Sequence, residues 1–97
     1  MSDYIFIRSV KNEKIGFYIV LKAVRDSKLS IISANGYKRQ CNDNIKGDDY
    51  LWIVFNEGDD FVLRENSSSS TTCIVFFPEL KDMEIKELEI NSQKITI

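Results

Sequence analysis

The chain has 97 residues, 43% of them hydrophobic and 29% charged, with four glycines, one proline, no histidine and a formal charge of −2. This composition excludes a fibrous or disordered polymer and supplies apolar material for one core but not two, so residues 1–97 are read as a single domain. The longest apolar run, Tyr50-Leu51-Trp52-Ile53-Val54-Phe55, is far shorter than the ~20 residues of a membrane-spanning helix. Met1-Ser2-Asp3-Tyr4-Ile5 lacks the basic segment and long apolar stretch of a secretory leader.

In chain order, Tyr4–Val10 is rich in aromatic and β-branched residues and reads as a first strand, although its alternation is only partial. A polar turn at residues 11–14 leads into Ile15–Val24, the clearest strand. Ile15, Phe17, Ile19, Leu21 and Ala23 share one face, while Tyr18, Val20 and Val24 make the other largely apolar. A strand apolar on both faces belongs at the centre of a sheet. Leu29–Ala34 is the third strand, and Asn35-Gly36 is a strong hairpin signal because both residues tolerate the positive φ of a type I′ turn. Tyr37–Cys41 then reads as a polar edge strand and residues 42–49 as a loop.

Tyr50–Phe55 reads as a buried strand with Phe61–Glu65 as its hairpin partner, and Asn66–Thr71 as a serine-rich loop. Cys73–Phe77 is a strand stopped by Pro78, one helical turn is expected near 79–84, and residues 88–97 end the chain as a hairpin. About eight short strands, with turn signals every eight to twelve residues or so, predict an all-β fold, a single-domain antiparallel β-sandwich or a partly open barrel.

The chemistry the residues permit is narrow. Absence of histidine removes the commonest acid–base group at neutral pH, the Ser–His and Cys–His nucleophile pairs, and the His-containing zinc sites. Cys41 and Cys73 cannot build a four-thiolate centre, and they read as reduced thiols of a cytoplasmic protein. Lys38 and Arg39 near Cys41 are the only features that would activate a thiol. The four glycines are scattered and form no phosphate-binding loop. The acidic turns at 48–49 and 57–60 flank one strand ~20 Å long, too far apart for a shared two-carboxylate site. Asn42–Gly47 echoes a calcium loop only until Lys46 and Ile53 fall where ligands belong. No catalytic residue, metal or cofactor is therefore predicted, and the chain is not read as an enzyme.

Charge is unevenly spread: residues 1–46 carry nine Lys/Arg against four Asp/Glu, and residues 47–97 carry four against eleven. The pI of about 5.1 argues against nucleic acid as partner. The expectation is a small non-catalytic protein that binds another macromolecule, in the manner of an inhibitor, antitoxin or immunity protein. Asp43, Asp48, Asp49, Glu57, Asp59 and Asp60 are the candidate contacts to a basic protein surface. Two alternatives stand beside it. One is a carbohydrate-type module stacking its ligand on Tyr37, Tyr50 and Trp52, with Tyr18 as a further stacking aromatic. The other is a structural subunit that assembles with copies of itself.

Overall fold

The computed structural model describes residues 2–12, 16–56 and 71–97. It holds eight strands and one short 3-10 turn in the order β1 (Tyr4–Asn12), β2 (Gly16–Ala23), β3 (Ser27–Ala34), β4 (Tyr37–Ile45), β5 (Tyr50–Phe55), β6 (Thr71–Phe76), the turn Pro78–Leu80, β7 (Leu88–Ile90) and β8 (Gln93–Lys94). Two four-stranded sheets face each other, one in the order β1-β2-β5-β6 and the other β4-β3-β7-β8. The fold is an all-β sandwich whose sheets do not close into a barrel. Each sheet mixes strands from the basic and acidic halves of the chain, so the charge asymmetry of the sequence does not separate into layers.

Alternation decides which side chains meet. Phe17, Ile19, Leu21 and Ala23 of β2 and Leu51, Ile53 and Phe55 of β5 point inward, toward Leu29, Ile32 and Ala34 of β3 and Leu88 and Ile90 of β7. Tyr18, Val20, Trp52 and Val54 form a second buried cluster on the opposite face of the same two strands. The two-faced apolarity of β2 thus corresponds to a central position, with β1 and β5 antiparallel on its two sides.

Three expectations change. β4 continues to Ile45 rather than ending at Cys41, because Asp43, Asn44 and Ile45 pair with Leu29, Lys28 and Ser27. Polar composition at a sheet edge is compatible with a strand whose outer side faces water. Second, β5 and β6 are parallel within an otherwise antiparallel arrangement. Parallel neighbours need a connection of about a dozen residues or more, and residues 56–70 supply that length. Third, the sides of β5 are taken by β2 and β6; the expected hairpin partner Phe61–Glu65 lies outside the described residues. The expected helical turn is present at Pro78–Leu80, slightly earlier than read.

Two asparagines hold the second sheet in register. Asn35 and Gly36 make the β3–β4 turn with φ of 50° and 84°, and Asn91 and Ser92 make the β7–β8 turn with φ of 52° and 66°. Each asparagine also uses its side chain as a second backbone. Asn35 Oδ1 accepts from the amides of Lys86 and Glu87 at 2.8 and 3.2 Å, and its Nδ2 donates to the Glu84 carbonyl at 2.7 Å. Asn91 Oδ1 accepts from the amides of Ser30 and Ile31 at 2.8 and 3.2 Å, and its Nδ2 donates to the Lys28 carbonyl at 2.8 Å. Ser30 and Ile31 sit where the β3–β4 register shifts, so consecutive amides meet one acceptor.

At one end of the sandwich the chain crosses between sheets twice, at residues 24–26 and 46–49. The Ala23 amide donates to the Asp49 carbonyl and the Asp48 amide to the Ala23 carbonyl, both at 2.9 Å. Asp26 Oδ1 accepts from the Gly47 amide at 2.8 Å. A Cβ at Gly47 would lie 3.2 Å from the Arg25 Cα, so the close approach of the two crossings favours glycine there.

Asn91→Ala should cost about 1–3 kcal/mol, since it removes three hydrogen bonds and leaves alanine at positive φ. Urea unfolding checks this, with Asn91→Asp, which keeps the shared acceptor, expected to lose less. Equal losses for both variants would contradict the clamp.

Candidate functional site

The expected acidic surface is not assembled as a negative face among the described residues. Asp48 and Asp49 lie in the crossing between β4 and β5, where Asp48 takes φ of 73° and pairs with Lys22 Nζ at 3.7 Å. Asp3 pairs with Arg25 at the same end, and Asp26 caps Gly47. Carboxylates and cations alternate there, and the backbone uses several of the carboxylates to build the corner. Asp43 stands apart on β4, where its Oδ2 accepts a weak bond from the Cys73 thiol at 3.8 Å. Glu57, Asp59 and Asp60 lie outside the described residues.

The aromatic trio does not share a surface either. Tyr37 is 48% exposed at the start of β4, in the sheet opposite Tyr50 and Trp52. Trp52 is only 3% exposed and stacks on Tyr18 with ring centroids 4.9 Å apart and planes at 9°. Its indole Nε1 is buried with no hydrogen-bond partner among the described residues. Tyr50 packs half-buried beside this pair. Rings already stacked inside a buried cluster have no free face to offer a sugar.

The cysteines bracket the seam where β4 and β6, the edges of opposite sheets, meet. Arg39 reaches across this seam: its guanidinium lies 4.5 Å from the Phe77 ring centroid and pairs with Glu79. Burial, with the Asp43 carboxylate as the next cause, pushes the Cys73 thiol up to about 12. Burial and Asp43 also raise Cys41, outweighing the opposing pull of Arg39. The basic residues near Cys41 therefore do not produce an activated thiol.

At the end opposite the crossings, a half-open cleft of about 840 Å³ lies between the β1–β2 end and residues 80–85. Its walls include Phe17, Phe55, Leu80 and Ile85, with Lys11, Lys81, Asp82 and Glu84 also lining it. Both signs of charge are present in similar number, and no group of three or more metal-ligating side chains gathers among the described residues.

The surface that sequence reasoning missed is the outer edge of β1. Ile5 is 49% and Ile7 39% exposed, and Val24, whose amide donates to the Asp3 carbonyl beside the strand, is 46% exposed. The register shifts between Phe6 and Arg8, so Ile5 lies opposite Lys22 and Arg8 opposite Val20, and both point to the outer face though three positions apart. The signal was present in the incomplete alternation of Ile5-Phe6-Ile7. Edge position, however, depends on strand order, which no local pattern encodes.

Comparison with family models, curated proteins and solved structures finds no match for this chain.

The raised thiols give a checkable expectation. At pH 8, with Cys41→Ser leaving one thiol, Cys73 in the folded protein should react with a thiol reagent on the order of a hundredfold more slowly than in the urea-unfolded chain. Because the Cys73 thiol ionises near 9 in an unperturbed setting and near 12 when folded, its contribution to stability is present below about pH 9 and declines above it. Equal reactivity of the folded and unfolded forms would refute the burial of this thiol.

Proposed function

We propose that this protein acts by binding another protein, as a small inhibitor or immunity-type protein does, and that contact is made along the open edge of β1. One observation carries the reading. The nine-residue strand Tyr4–Asn12 has β2 on one side and, among the described residues, no strand on the other, and its exposed side presents Ile5 and Ile7 with Val24 just past the end of the neighbouring strand. A free strand edge offers a row of amides and carbonyls that another extended chain can pair with.

The other edges are less suited to this. β8 has only two residues. β4 is lined by Lys38, Gln40, Asn42 and Asn44 and comes against β6 at the seam. Lysine-bearing, short or covered edges are the usual ways in which strand pairing with other chains is discouraged. Completing the burial of Ile5 and Ile7 would contribute roughly 1 kcal/mol each, since each is already about half covered. The backbone pairing would supply orientation and register.

The acidic corner is a weaker contact surface, because Lys22 and Arg25 stand among its carboxylates. A basic partner facing Asp43, Asp48 and Asp49 would have to displace pairs that already exist within the chain, at least at Asp48.

A photo-crosslinking residue placed at Ile5 should yield adducts with a discrete partner protein in cells that make this chain. The same residue placed at Ser33, on the outer face of the second sheet, should yield none. Adducts from Ser33 alone, or equally from both positions, would remove the case for the β1 edge.

A further inference from the structure

Resting on the reading of β1 as a strand-pairing edge, we infer that its partner is an extended strand of a different protein that alternates apolar and acidic side chains along one face. The exposed charges of β1 are all of one sign. Arg8 and Lys11 are both exposed, and among the described residues neither lies within ion-pair distance of a carboxylate. Asp3, just before the strand, is occupied by Arg25. Cross-strand pairs of opposite charge add to strand pairing, and like charges subtract from it.

The register shift makes this selective. It turns Ile5 and Arg8 to the same outer face, with Val10 following opposite Tyr18. An added strand alternates its side chains strictly, so it meets an apolar position, a cation and a half-buried apolar position in succession. An incoming β-branched residue beside Ile5, followed on the same face by a carboxylate beside Arg8, satisfies that row. Arg8 suits this role because a guanidinium receives a carboxylate through two parallel hydrogen bonds. Lys11, opposite the inward-facing Phe17, lies on the other face and lines the cleft, so Arg8 is the cation that this row presents.

A second copy of this chain meets only half of the requirement. Antiparallel self-pairing centred on Phe6 would set Ile5 against Ile7 of the copy, which is compatible. It would set each Arg8 against Tyr4 of the copy, with no free carboxylate opposite it. A copy therefore satisfies the apolar part of the edge and leaves Arg8 without a partner.

The experiment titrates the full chain with peptides repeating Val-Thr-Glu-Thr, which set valine and glutamate in turn along one face, or repeating Val-Thr-Lys-Thr, and follows amide protection in β1. The valine–glutamate peptide should bind at least tenfold more tightly than the valine–lysine peptide, with that ratio shrinking toward one in high salt. The preference should vanish in Arg8→Gln and invert in Arg8→Glu; the position is exposed, so the neutral variant guards against a folding defect in the reversed one. Equal protection of β1 by both peptides would overturn the acidic partner while leaving strand pairing intact. Protection that rises with protein concentration in the absence of peptide would overturn it in favour of a second copy. If no peptide protects β1 and its outward amides stay free, the inference and the reading beneath it both fall.

Discussion

The paired strands β2 and β5 are buried on both faces, and the rest of the molecule is arranged around that constraint. Ile19 lies opposite Ile53 and Leu21 opposite Leu51 on the inner side, while Tyr18 lies opposite Val54 and Val20 opposite Trp52 on the outer. A ladder in such dry surroundings cannot exchange its hydrogen bonds for water without exposing ten or so large side chains, so its register is strongly held. With the centre fixed, β1 and β6 must take the flanks. The chain leaving β2 and the chain entering β5 both cross at the same end, and that is where Gly47, Asp26 and the Ala23 backbone interlock.

The opposing sheet solves a different problem. Its strands β7 and β8 are too short to hold one another by pairing alone, and the sheet depends on side chains acting as backbone. Asn35 and Asn91 sit at equivalent places in two hairpin turns, and each reaches from its own turn to a remote segment of the chain. Residues 28–31 and 84–87 are thereby tied to the turns rather than only to neighbouring strands. The positive φ that suits asparagine to each turn also aims its amide at these segments.

What the sequence disclosed follows from how local each signal is. The two faces of β2, the Asn35-Gly36 turn, the stop at Pro78 and the terminal hairpin are encoded within a few residues, and all are found. The parallel placement of β6 was not legible, because Thr71–Phe76 looks the same whichever way its neighbour runs. The end of β4 was misread because Asn42, Asp43 and Asn44 are turn-forming residues by composition, whereas pairing with β3 decides their state. The acidic turns were legible as charge but not as neighbourhood: Lys22 and Arg25 are distant from Asp48 and Asp3 in sequence and adjacent in space. Ile5 and Ile7 were legible as strand residues, and it is strand order that leaves them at an edge.

Residue-resolved amide hydrogen exchange on the isolated protein tests the account most directly. Amides of β2 and β5 should be the slowest in the molecule, and β1 should show alternation, with amides facing β2 slow and those facing outward near the rate of an unstructured peptide. Uniform protection along β1 at low protein concentration, or exchange in β2 and β5 as fast as in β8, would contradict the buried central pair with an open first strand.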